Sequence, residues 1–261
     1  MYVRTAAVAG LFYPADPTAL QKALAGYLAV GRVQCTPPRA LIVPHAGYIY
    51  SAPTAACGYA TLVGSHYSRV VLVGPAHRVA TPAIAVPSCH LFRTPLGDIP
   101  VADVIQKLVI RFDGVETDDV VHAPEHSLEV QLPFLQVVLS SFELVPLCVG
   151  DVDPVLLAQV LESLWDEGTL FVISSDLSHY HASDEAVRRD HASIARILAG
   201  SHLMHAQACG ATGINAMLLL AARHRLQARL LDYRHSGDTA GDMERVVGYA
   251  SIAFEGGLED A

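Results

Sequence analysis

A chain of 261 residues can form one large α/β domain or two small ones, and either way it buries most of its apolar surface. It is 52% hydrophobic, 16% charged and carries a formal net charge of −9, which suits a core covered on both sheet faces and argues against a nucleic-acid binder with its basic face. No stretch approaches the roughly 18–20 uninterrupted apolar residues of a membrane span.

In chain order, residues 16–30 have the helical spacing of Leu20, Leu24 and Leu28. Before them, the apolar run from Ala6 to Tyr13 is broken by Pro14, Asp16 and Pro17 and leads to no convincing cleavage site. Strands are predicted at 41–43, 70–75, 83–86, 143–149, 170–175, 228–233 and 247–254, several as continuous Val/Ile/Leu runs of the kind buried on both faces. Between them lie helical patterns at 102–112, 127–139, 154–165, 184–198 and 212–224. Ser127 is placed to cap the second of these, with Glu129 in its first turn, and Pro133 either kinks that helix or marks its true start. Asp153 is a good N-cap ahead of Pro154. The order predicts an α/β fold with a mainly parallel central sheet flanked by helices. No linker, repeat or low-complexity tract divides it, so residues 1–261 read as a single domain.

Three apolar strands each run into a turn bearing a histidine or an acid. Leu41-Ile42-Val43-Pro44 leads into His45-Ala46-Gly47-Tyr48, Val70 to Pro75 into Ala76-His77-Arg78, and Leu170 to Ser175 into Asp176-Leu177-Ser178-His179. Ligands of open α/β sheets bind outside the carboxyl ends of the strands, so these groups converge if the strands are parallel neighbours. Imidazoles and carboxylates gathered in a pocket point to a metal site or an acid–base site. Taken alone, a histidine in a turn is more often a hydrogen-bonded structural residue; the repetition is what raises the functional reading. Gly47 would let the backbone turn or approach a ligand. A helical turn at Asp176 would put Asp176 and His179 on one face, whereas an aspartate there can also be a plain N-cap. His126 stands at the entrance to an amphipathic segment, as a surface residue or facing the pocket, and His181 and His191 read as surface residues.

The five cysteines, Cys35, Cys57, Cys89, Cys148 and Cys209, are scattered and form no CxxC pair, which supports neither a disulfide framework nor a zinc ribbon. Cys209 precedes Gly210-Ala211-Thr212-Gly213 at a predicted helix start, where a thiol tends to a lowered pKa; cysteine is also among the most buried residue types. GxxxxGK[ST], GxGxxG and GxSxG are all absent. A cytoplasmic protein is expected.

Laid side by side, several segments resemble the Memo family, whose bacterial members are also called AmmeMemoRadiSam system protein B. They are Arg4 to Pro14, Val43-Pro44-His45-Ala46-Gly47-Tyr48, Gly74-Pro75-Ala76-His77, Thr94-Pro95-Leu96-Gly97-Asp98, Glu125-His126-Ser127-Leu128-Glu129, Ser174 to His179 and Cys209-Gly210. The resemblance implies a fold like that of the class III extradiol dioxygenases, which are non-haem iron enzymes. It implies that His45 and His77 stand at the iron-ligating histidines and Cys209 where those enzymes place a ligating glutamate. His179 would match the acid–base histidine, with Asp176 and His126 lining the pocket as further catalytic candidates. Thiolate for carboxylate makes the site softer, so copper joins iron as a cofactor expectation, and ring opening is not carried over.

The function expected is therefore an iron- or copper-dependent redox enzyme of unknown substrate. The alternative is a non-catalytic module holding a peptide or small anion in the same pocket, and a hydrolase using metal-bound water is also compatible. The family name further implies a functional link to a radical-SAM protein and to AmmeMemoRadiSam system protein A.

Overall fold

The computed structural model describes residues 2–30 and 36–256, so Cys35 lies outside the described residues. In chain order the elements are β1 (Val3–Arg4), α1 (Pro17–Val30), β2 (Ala40–Val43), α2 (Tyr48–Tyr59), β3 (Arg69–Pro75), β4 (Ile84–Val86), β5 (Leu91–Thr94), β6 (Gly97–Pro100), α3 (Val104–Arg111), β7 (Val115–Thr117) and α4 (Asp119–His122). There follow α5 (Leu132–Val138), β8 (Glu143–Val149), α6 (Pro154–Glu162), β9 (Thr169–Ser174), β10 (His179–His181), α7 (Ser183–Leu198), α8 (Ala211–Arg223), β11 (Leu226–His235) and β12 (Val246–Gly256).

One sheet runs β10-β12-β2-β9-β3-β8-β4-β7, with β11 also paired to β12; a small second sheet runs β1-β5-β6. The centre of the large sheet, β2-β9-β3-β8, is parallel. Its flanks are mixed, because β12 runs antiparallel to β2 and β4 antiparallel to β8. β11 and β12 are consecutive strands joined by a short 3-10 turn (Ser236–Asp238) and a loop, with no crossover α-helix, and they pair antiparallel.

The central strands are buried along almost their whole length, as continuous Val/Ile/Leu runs require. Successive residues point to opposite faces. Leu41, Val43, Val70, Leu72, Leu170 and Val172 pack with apolar residues of α1, α2 and α5. Ala40, Ile42, Val71, Val73, Phe171 and Ile173 pack with those of α3, α6, α7 and α8. Both faces are thus covered, and the crevice for a ligand lies at the strand ends.

Three local expectations are corrected. Residues 176–178 are not helical; His179 instead opens β10, which pairs with β12. Ser127 does not cap a helix: its hydroxyl donates to the Pro75 carbonyl (2.8 Å), and after a single tight turn at 129–131 Pro133 marks the start of α5. Glu129 is no surface charge at a helix end. It is fully buried, accepts N–H bonds from Ala7 and Val8 and the Tyr13 hydroxyl, and pairs with Arg4. Arg4 also donates to the carbonyls of His122, Ala123 and Glu125. The N-terminal segment and the 122–129 segment are therefore one interlocked unit.

His122 belongs to that unit and carries a prediction. It is buried, its Nε2–H donates to the Ala85 carbonyl (2.9 Å), and its Nδ1 has no hydrogen-bond partner. Burial, with the Arg4 charge, lowers its pKa from 6.5 to about 4 against the pull of the Ala85 carbonyl. The folded state then binds fewer protons than the unfolded chain between those values, so stability falls as pH drops from 6.5 towards 4, by roughly 3 kcal/mol for this residue. Denaturant titrations across that window should show a shallower acid slope in His122→Gln. An unchanged slope would mean that His122 is already protonated in the folded protein.

Candidate functional site

β2, β9 and β3 are adjacent parallel strands, with Val43 opposite Ser174 and Val73 opposite Ile173. β2 ends at Val43, β9 at Ser174, and β3 two residues beyond Val73 at Pro75. Each strand is followed, two residues on, by a polar group: His45, Asp176 and His77. The three turns meet, and His45, His77, His126, Asp176 and His179 line one cavity of about 620 Å³. Phe12, Tyr50 and Tyr249 contribute aromatic walls, and Arg78 and Arg245 also line it. Among the described residues, His45, His77 and His126 form a cluster in which one ring nitrogen from each lies within 4.8 Å of the others.

The hydrogen bonds fix which nitrogen each ring offers. The Gln131 amide N–H groups donate to the Pro44 carbonyl (2.9 Å) and to Ser174 Oγ (2.7 Å). Ser174 gives its one proton to the Ser127 carbonyl (2.6 Å). It can then only accept from His45 Nδ1, 2.9 Å away, so His45 carries its proton on Nδ1 and keeps a lone pair on Nε2. The Glu125 carboxylate is likewise an acceptor, 3.4 Å from His77 Nδ1 and 3.1 Å from His126 Nδ1, the latter off the line of a good hydrogen bond. His179 Nδ1 donates to the Leu177 carbonyl (2.9 Å), which leaves its Nε2 free as well.

Charge is controlled by burial. His45 is buried, and desolvation lowers its pKa to about 4 against the attraction of Asp176, so it is neutral near pH 7, the form that binds metals. Burial alone would raise Glu125, but the His126 and His77 imidazoles beside it and hydrogen bonds from the backbone N–H groups of Ser127 and His77 hold it well below the usual carboxylate range. Asp176 Oδ1 accepts the His45 backbone N–H (2.8 Å) and so ties one strand-end turn to the next.

Cys209 approaches from a neighbouring cavity of about 340 Å³, which it lines with Ser174 and Thr212. Its Sγ lies 3.3 Å from His45 Nε2 and accepts the Asp176 N–H at 3.3 Å. The expected lowering of its pKa is overturned: burial, then the Asp176 charge, pushes the thiol up to about 12. The residue sits one position before the Gly210 cap of α8, and the donors around it do not outweigh that loss of water. Gly210 is needed for this approach, since a Cβ there would lie 2.7 Å from Ser175 Cβ and 2.8 Å from the Ser174 carbonyl. Gly47, by contrast, has φ −55° and room for a side chain, so no backbone demand explains it. His191 is exposed, as expected of a surface residue.

Gln131, Ser174 and Glu125 support the site without having been singled out from the sequence. Glu125 adjoins His126 and could have been suspected; Gln131, five residues further along, gives no sequence signal.

A family model described as "Memo-like protein" matches residues 4–253. The chain belongs to the Memo family. A MEMO1 family protein of Methanopyrus kandleri is 37% identical, covering 97% of this chain and 99% of that protein. Relatives of the same description in Thermoplasma volcanium (32% identical, 96% and 97% covered) and Methanosarcina acetivorans (37%, 98% and 100%) are similar over the same extent. The matched range, residues 4–253, includes the strand ends that build the cavity. Among the described residues, no helix is long and apolar enough to cross a membrane.

Proposed function

We propose that this Memo-family protein is a metal-dependent redox enzyme that binds iron or copper through His45, His77 and Cys209. The observation that carries this reading is the convergence of the His45 and His77 imidazoles, each with Nδ1 held by a protein acceptor, on one cavity at the ends of parallel strands. Donors of this chemistry fit the group: imidazoles held at Nδ1, which leaves Nε2 for a metal, suit iron and copper, and a thiol beside one of them suits reduced copper above all. When bound, the metal would supply one-electron redox chemistry and an open position for substrate.

The remaining chemistry belongs to the chain. His179, with Nδ1 held by Leu177, can take or give a proton at Nε2 on the cavity side. Asp176 fixes the His45 turn, His126 lines the same cavity, and Phe12, Tyr50 and Tyr249 give it aromatic walls. The runner-up, a module that holds a peptide or small anion, draws on Arg78 and Arg245 at that cavity.

Alkylation tests the thiolate directly. Because its thiol pKa stands near 12, Cys209 must lose a proton when it ligates, so metal affinity should rise with pH and each metal bound should release a proton. Iron(II) or copper(I) should then shield Cys209 from iodoacetamide, while buried Cys57, distant in role, reacts at the same slow rate with or without metal. Equal Cys209 labelling in both states would remove it from the ligand set.

A further inference from the structure

We propose that His126 is a third imidazole ligand of this centre and that the Glu125 carboxylate is its positioning residue, holding His126 and His77 together in ligating posture. This inference rests on the reading of the cavity as a metal site, and it assigns to His126 a role that the family resemblance does not.

The geometry of the rings carries it. The His45, His77 and His126 ring centroids are 5.1, 5.6 and 5.0 Å apart, close to an equilateral triangle, and the His126 ring stands perpendicular to His45 at 89°. Of the cavity's other ligand-type side chains, His126 is the one whose ring nitrogen clusters with those of both His45 and His77. Cys209 approaches from the other side, beside His45 Nε2.

Glu125 explains why the two rings stand together. It is 1% exposed and pairs with no arginine or lysine side chain among the described residues. Oε2 accepts the backbone N–H groups of His77 (2.6 Å) and Arg78 (3.2 Å). Oε1 accepts those of His126 and Ser127 (both 2.9 Å) and faces Nδ1 of both imidazoles. One carboxylate therefore binds the backbone of two histidine turns and the His77 ring, with His126 Nδ1 beside it at 3.1 Å but not aligned for a hydrogen bond. A carboxylate behind an imidazole fixes its tautomer, turns Nε2 outward and raises its basicity, which is how protein metal sites orient their histidines. With Ser174 behind His45, all three rings turn Nε2 away from their anchors. Phe12 packs against His126 at 4.8 Å and limits its other rotamers.

The test uses the full chain and cobalt(II) alone as probe. The parent should bind cobalt(II) near 1:1 with the absorption of a nitrogen-rich site. His126→Ala should weaken binding by more than 10-fold and shift that absorption, and added imidazole should restore both, with the melting temperature little changed. Glu125→Gln should weaken cobalt(II) by roughly 10–100-fold, the usual effect of removing an outer-shell partner. Because Glu125 also anchors four backbone N–H groups, a second readout separates positioning from folding. Nitrogen-15 shifts of the metal-free protein should show His77 and His126 protonated on Nδ1 in the parent and as mixed tautomers in Glu125→Gln. A parent that binds cobalt(II) while His126→Ala keeps its affinity and spectrum would overturn the ligand assignment and leave the metal site standing. Unchanged tautomers in Glu125→Gln would overturn the positioning role. A parent that binds no cobalt(II), iron(II) or copper(I) would overturn the metal reading itself.

Discussion

Glu129→Ala should destabilise the protein by about 3–5 kcal/mol, the cost of leaving a buried partner charge unpaired. The carboxylate is fully buried, and its loss strands Arg4, two backbone N–H groups and the Tyr13 hydroxyl at once. At about 2–4 °C per kcal/mol for a chain of this size, the melting temperature should fall by roughly 10 °C. Glu129→Gln keeps an acceptor oxygen but not the charge and should fall between parent and alanine. Because Arg4 also holds the Glu125 carbonyl (2.6 Å), the damage should spread to the turn that carries His126. A loss below about 1 kcal/mol in denaturant titrations would mean that this network is not a keystone of the N-terminal half.

His45→Ala and His77→Ala should each abolish most metal binding while leaving the fold intact. Both sit on turns beyond strand ends; partly exposed His77 costs little packing, while buried His45 also loses its bond to Ser174 and should lower the melting temperature without unfolding the chain. Loss of an outer-shell partner costs roughly 10–100-fold in affinity, and loss of a ligand should cost more. His191→Ala, on the exposed side of α7, should bind metal as the parent does. Elemental analysis after anaerobic reconstitution reads all three, and equal metal content throughout would place the ligands elsewhere.

The sheet and the cavity were legible because they rest on signals with physical range. The continuous apolar runs at 41–43, 70–75 and 170–175 are buried on both faces, and their ends converge wherever neighbouring strands are parallel. Helix α2 was not legible. Between Tyr48 and Tyr59 at its ends, its buried face is built from Ser51, Ala52, Thr54, Ala55 and Ala56, it contains Pro53, and Gly58 lets it lie against Val43 and Ser251. Small residues give no strong 3.6-residue signal, and a proline argues against a helix interior. The β5–β6 hairpin was missed for a different reason, since β6 is mostly exposed and has no apolar alternation.

Errors at the site came from treating local sequence as if it set the electrostatics. Cys209 beside a helix start suggested a lowered pKa, but burial and Asp176 dominate there. Glu129 near a helix start suggested a dipole contact, yet its partners, Arg4, Ala7, Val8 and Tyr13, lie more than a hundred residues away in the chain. Partnerships of that range leave no trace in spacing. The Glu125 pairing with His77, 48 residues apart, is of the same kind.

The most direct test of the metal site is a crystal structure of the anaerobically reconstituted protein with anomalous data collected at the iron and copper edges. The account predicts one anomalous peak in the cavity, about 2.0–2.1 Å from Nε2 of His45 and His77 and about 2.3 Å from Cys209 Sγ, the lengths of zinc–nitrogen and zinc–sulfur bonds taken as a guide. A fully reconstituted crystal with no peak there, or with its only peak bound by other residues, would contradict it.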